Sequence, residues 1–186
     1  MQALQRYREV LLRDIESLDT AALDWQAAAQ AVSIGTSLLH IAAVEFLVMS
    51  AVAVHRGDAG AGPDRALWLA LQPGFARELA QPPCVGQPRS HYTRLLQQVR
   101  SASETVLNAD WQPLSLEQAQ QTVLDRLGLD RDQQDRLQAP LGLPLSIADG
   151  TQRETLILAL IAHESYHRGQ ITQGKFLYRI ATQRNG

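Results

Sequence analysis

The sequence predicts an all-α fold, a single four-helix bundle with an extra helical or looped insertion before the last helix, and three observations predict it. Apolar residues recur at three- and four-residue steps in four separate segments, the spacing that lines one face of a 3.6-residue helix. The apolar set is rich in leucine and alanine and only 5% of residues are aromatic, a composition that favours helix over sheet. A length of 186 residues suits one undivided core, since cores stay whole up to roughly 250 residues. Residues 1–186 are therefore expected to form one domain.

The first helix is expected over about residues 2–18, striped by Leu4, Tyr7, Leu11, Ile15 and Leu18. The second runs from Ser33, a plausible N-cap, to Val54, with Ile34, Leu38, Ile41, Val48 and Val52 inward and Gly57 as the stop. Residues 55–89 then form a Gly- and Pro-rich stretch of about 35 residues, far longer than the usual connection between bundle helices. Such a length can carry the chain from one end of a bundle to the other, which permits the second and third helices to run parallel.

The third helix fits residues 90–107, carried by Tyr92, Leu95, Val99 and Val106. Residues 108–150 are again long for a connection and should hold a further helix after Ser115, with Ser115 and Gln118 as a capping box and Gly128 ending the run. Pro140, Gly142 and Pro144 read as irregular chain. The last helix is the best marked. Thr151 and Glu154 form a capping box, and Leu156, Leu160, His163, His167 and Ile171 share one face of a helix that should reach about Ile180.

Composition narrows the function classes. The net charge is −2 and Lys and Arg are scattered, so the basic stripe needed to neutralise a phosphate backbone is missing and nucleic acid is not an expected partner. The longest apolar stretch, Leu156 to Ala162, is too short for a membrane span of roughly 20 residues, and the N-terminus lacks the apolar run of a signal peptide. The expected location is the cytoplasm, with no membrane partner. The single cysteine, Cys84, cannot form an internal disulfide and reads as a free loop thiol with no electropositive neighbour to activate it. Trp25, Trp68 and Trp111 lie in or near connections and read as small satellite cores.

The densest chemical signal is HESYHRGQI, residues 163–171. His163 and His167 are four apart and stack on one helix face, the spacing that lets two imidazoles bind one metal ion. That face is the apolar one, where an unsatisfied ring nitrogen costs on the order of 1–3 kcal/mol. A third histidine, His40, sits in the otherwise apolar SIGTSLLHIAAVEFLV of the second helix. Three inward imidazoles from two helices match the way bundles build metal sites. The competing reading is of core histidines satisfied by hydrogen bonds. His55 suits the last turn of its helix, and His91 is expected to be exposed; both are left out of the site.

The same segment fits H-E-x-x-H, the zinc-protease motif in which Glu164 is the general base. Proteases of that kind usually take a third ligand from further along the chain, and ITQGKFLYRIATQRNG offers no Glu, Asp or His. Glu164 is kept as a candidate catalytic residue that hydrogen-bonds a ligand, against a solvated helix-face glutamate as the alternative.

With SIGTSLLHIAAVE early and HESYHRGQI late, the chain resembles the DinB-like, or YfiT-like, superfamily of metalloenzymes. The resemblance runs through the whole bundle in order, although only those two segments are specific. It implies a four-helix bundle with up-down-down-up topology and a long crossover between the second and third helices. It also implies a three-histidine metal site, which maps onto His40, His163 and His167, and packing as a homodimer. Relatives include thiol transferases and thiol-dependent isomerases, so the implied partners are a low-molecular-weight thiol and an electrophilic small molecule. The extended 108–150 region departs from that pattern. Three protein ligands leave coordination positions open, as in catalytic zinc sites. The expected activity is metal-dependent thiol transfer with a divalent transition metal, zinc or nickel. Hydrolysis by a metal-activated water and a non-enzymatic bundle with a structural metal are the alternatives.

Overall fold

The computed structural model describes residues 2–28, 31–57, 63–111, 117–138 and 152–183. Among them the chain is all helical, with no strand. The elements in order are α1 (Gln2–Asp14), α2 (Thr20–Asp24), α3 (Ile34–His55), α4 (Arg65–Leu71), a 3-10 turn (Gln72–Phe75), α5 (Arg89–Asn108), α6 (Glu117–Arg126), α7 (Arg131–Gln138) and α8 (Arg153–Gln183).

α3 is the centre of the fold. Ser33 caps it, its hydroxyl accepting from the Thr36 N–H at 3.1 Å, as its place before an apolar run predicts. The expected inward stripe proves too narrow, because every α3 residue except His40, Ser50, Val54 and His55 is buried. A helix apolar all round must be enclosed all round, and α3 packs against α2, α4, the 3-10 turn, α5, α6 and α8. It also corrects the reading of membrane-spanning capacity from the longest apolar stretch, Leu156 to Ala162, alone. α3 is long and apolar enough to cross a membrane by length and composition alone, yet 83% of its most apolar window is buried inside the protein.

α1 packs along α8. Leu4, Leu11 and Ile15 are fully buried as expected, but Tyr7 is 38% exposed and its neighbour Arg8 is the buried residue. The exchange has an electrostatic cause. Arg8 and Arg100 meet Glu45 and Glu164 in the interior, one residue from each of α1, α5, α3 and α8. Arg8 reaches Glu45 at 2.8 Å and Glu164 at 3.2 Å, while Arg100 reaches Glu45 at 2.8 Å and Glu164 at 2.9 Å. Spare guanidinium N–H groups donate to the backbone oxygens of Leu96 and Leu4. All four side chains are at most 4% exposed, and their formal charges cancel.

The described part of the 55–89 connection is more helical than its Gly and Pro content suggests. Asp64 caps α4, and Trp68, Leu71 and Phe75 are fully buried at helical spacing. Trp68 is thus part of the main core, not of a satellite. The helix expected after Ser115 is α6, and Gly128 follows it with φ 77°, a left-handed conformation in which glycine carries no steric cost. Ser115, Pro140, Gly142, Pro144 and Thr151 lie outside the described residues, and so do the two capping boxes read at Ser115 and Thr151.

Candidate metal centre

α3 and α8 pack together, and His40 from α3 meets His163 and His167 from α8. Ring centroids are 5.3 Å apart for His40 and His163, 4.7 Å for His40 and His167, and 4.5 Å for His163 and His167. One ligand nitrogen from each ring lies within 4.8 Å of the others. No other group of three or more His, Cys, Asp or Glu side chains among the described residues meets that condition.

The surroundings of each ring decide which nitrogen faces the centre. His40 Nδ1 lies 3.3 Å from the Gly74 carbonyl. A carbonyl only accepts, so Nδ1 carries the proton and the Nε2 lone pair is left free. His167 Nδ1 lies 2.8 Å from the Gln170 side-chain oxygen, three residues along the same helix, with the same consequence. His163 Nε2 is buried without a hydrogen-bond partner, an arrangement that costs free energy unless a ligand satisfies it.

Electrostatics agree with this geometry. Burial, then the neighbouring His167, lowers His40 to about 4, against a smaller opposing pull from the Gly74 carbonyl. His163 falls to about 3 through burial and its two histidine neighbours. His167 is lowered by burial, partly offset by Gln170. Near neutral pH all three rings are uncharged, the form that binds metal. The donor set therefore fits a transition ion: three neutral imidazoles, two of them oriented by hydrogen bonds to their far nitrogens, and one orphaned nitrogen.

Gly74 and Phe75 were invisible as site residues in the sequence. A Cβ added at Gly74 would stand 2.5 Å from the His40 backbone nitrogen and 2.6 Å from the Leu39 carbonyl carbon, so only glycine lets the 3-10 turn lie this close to α3. Phe75 meets the His40 ring edge-on at 4.8 Å. Gln170 stood within the HRGQ segment without an assigned role, and the structure gives it one.

Glu164 does not join the site. At 100° per residue it points away from His163, and its carboxylate accepts hydrogen bonds from both Arg8 and Arg100. The candidate general base is thus neither beside the histidines nor solvated, being 2% exposed. Its partners are 156 and 64 residues away in sequence. A signal for the cluster was present in α3, where Glu45 interrupts a run of apolar residues and a buried carboxylate demands a cation.

His55 is exposed at the end of α3. His91, expected exposed, is half-buried, with Nε2 unpartnered and its pKa lowered by burial and then by Arg94. Cys84 packs partly against the core, and burial pushes its thiol up, which disfavours the nucleophilic thiolate.

The three histidines open into a cavity of about 970 Å³ that runs between α8, the start of α3 and the segment after α2. Trp25, read from sequence as satellite core, lines it. Comparison of the chain with protein-family models, with curated proteins and with solved structures found no match.

Proposed function

We propose that the chain is a metal-dependent enzyme of the DinB-like kind that holds one divalent ion, zinc or nickel, on His40, His163 and His167 and activates a low-molecular-weight thiol for attack on a small electrophile. One observation carries the reading: three neutral imidazoles from two helices converge at the wall of a cavity, with His163 Nε2 buried and unpartnered. A structural ion is normally enclosed by four protein ligands. Here three residues and an adjoining cavity favour catalysis over a structural ion or merely satisfied core histidines. When bound, the ion supplies Lewis acidity, lowering the pKa of a thiol or water brought to it. The chain's own residues orient the rings through Gly74 and Gln170, and the carboxylates of Glu45 and Glu164 are kept away by their arginine partners.

A second reading, hydrolysis by water, has an observation in its favour. Apart from histidine, the described residues that line the cavity include only two charged ones, Arg77 and Glu78, so a thiol carrying several carboxylates finds little cationic complement there. On either reading α1, α3, α5 and α8 form the four-helix bundle, up-down-down-up, with residues 55–89 as the crossover and α6 and α7 as part of the insertion. Membership of the superfamily brings with it a homodimer in the cytoplasm.

Elemental analysis of protein purified without a metal-chelating tag tests the proposal. The expected result is close to one transition metal per chain, lost in His40→Ala, His163→Ala and His167→Ala and kept in His91→Ala. A wild-type protein that takes up no metal after reconstitution refutes it. Transfer of bacillithiol, mycothiol or glutathione to a generic electrophile then separates the two reactions, with His167→Ala as the control.

A further inference from the structure

The cavity has a shape and a chemistry that narrow what it accepts. Its volume of about 970 Å³ is near the top of the ~300–1,000 Å³ usual for small-molecule sites. One wall is a single stripe of α8, in which Ala159, Ala162, Tyr166, Gln170, Gln173 and Leu177 follow one another at three- and four-residue steps. Such residues stack on one helix face, so the groove follows the helix axis for about 27 Å at 1.5 Å per residue. His163 and His167 edge that stripe, and roughly 15 Å of groove lies between His167 and Leu177.

The lining also includes Trp25, Val32 and Ile34, from the segment after α2 and the start of α3. Trp25 meets Tyr178 edge-on at 5.9 Å, which places it at the Leu177 end. Two of the lining side chains leave large apolar surfaces uncovered, Val32 at 56% exposure and Tyr166 at 65%. Arg77 and Glu78 are adjacent in sequence and opposite in sign, so away from the metal centre the described lining has no net charge to hold a carboxylate or phosphate.

We infer that the ligand of this groove is an elongated, uncharged, largely apolar molecule with one metal-binding oxygen or sulfur donor at its end. The donor lies at His40, His163 and His167, and the body runs along α8 toward Trp25 and Leu177. The placement of the donor rests on the metal-centre reading, whereas the apolar body rests on the groove alone. A groove that meets the three-histidine cluster and has a small-molecule volume suits such an occupant better than a helix of another protein.

Straight-chain alkyl hydroxamic acids, from acetohydroxamic to dodecanohydroxamic acid, provide the test, titrated by calorimetry into zinc-reconstituted and metal-free protein. Affinity for the zinc form should rise about fourfold per methylene buried and level off once the chain fills the groove. Val32→Asp, a change at an exposed apolar wall position that touches no histidine, should abolish the rise and leave acetohydroxamic acid binding unchanged. A hydroxamic acid of equal length that carries a carboxylate at its far end should gain nothing over acetohydroxamic acid. Zinc-dependent binding of acetohydroxamic acid with no gain from longer chains overturns this inference and leaves the metal centre standing. A gain with chain length at affinities that are equal with and without zinc removes the placement of the donor on the metal centre and keeps the apolar groove. A protein of doubled mass with no chain-length gain points to a second copy covering the groove, and also overturns the inference.

Discussion

Replacing Glu164 by glutamine separates two accounts of the same residue. In the motif account it is a general base beside the histidines, so the substitution removes activity and leaves stability untouched. The structure instead places its carboxylate under three hydrogen bonds, from Arg8 Nε and Nη2 and from Arg100 Nη2. Glutamine keeps the shape, but it removes the charge and turns an amide N–H₂ toward guanidinium donors. The buried quartet then goes from neutral to one net positive charge, with Glu45 the only carboxylate left for two arginines. Breaking a buried ion pair on one side costs about 3–5 kcal/mol. In a chain of this size each kcal/mol moves Tm by about 2–4 °C, so Glu164→Gln should melt about 6–20 °C lower. Circular dichroism melts of metal-free and zinc-loaded protein measure this, with metal content checked at a temperature where the variant is folded. Metal content should be unchanged. Adding Arg100→Met restores the charge balance and should recover part of the loss, a coupling that a double-mutant cycle reads directly. A Tm within about 1 °C of wild type, well under the shift expected for even 1 kcal/mol, would refute the reasoning and return Glu164 to the list of catalytic candidates.

Gly74→Ala should weaken metal binding about 10–100-fold, the usual effect of losing an outer-shell partner, and should lower Tm, because its Cβ meets fixed backbone of Leu39 and His40; competition with a fluorescent zinc chelator measures the affinity. Gln170→Ala removes the acceptor for His167 Nδ1 at an exposed position, so affinity should fall about tenfold with Tm in metal-free protein unchanged. Stability of the metal-free protein should decline as pH falls. The ordinary histidine value is 6.5, whereas folded His40 is near 4 and His163 near 3, so below about pH 6.5 the unfolded chain takes up protons that the folded chain refuses. Urea unfolding at pH 7.5, 6 and 5 should show a falling midpoint, flattened in His40→Gln/His163→Gln; a midpoint constant over that range would count against neutral buried rings.

The parts of the fold read correctly from the sequence are those whose signal is local. α3 announces itself through Ser33 and its apolar run, and α8 through its stripe, because capping and periodicity act within a few residues. α7 gave no such signal: Arg131–Gln138 is almost entirely polar, and within it the buried side chains described are Gln134 and Leu137. In the 55–89 connection, glycine and proline concealed a short stripe at Trp68, Leu71 and Phe75. The site divides in the same way. Spacing brought His163 and His167 together and apolar context singled out His40, but the Gly74 carbonyl comes from 34 residues away. Glu164 misled because its nearest sequence neighbours are ligands while its physical partners sit on α1 and α5.

The buried quartet and the three histidines are two fixings of one helix pair. Glu45 follows His40 by five residues and Glu164 follows His163 by one, so each helix carries a charged group close to its ligand and turned toward a different side. Sliding α8 along α3 by one turn, 5.4 Å, would carry His163 and His167 away from His40. Ion pairs at 2.8–3.2 Å oppose it, because a shift of that size leaves carboxylates and guanidinium groups unpaired in the core. Such a cluster adds little net stability compared with apolar side chains of similar size, and its value lies in choosing one register. The quartet that removes Glu164 from the chemistry therefore adds to core packing in favouring the register in which His40 faces His163 and His167.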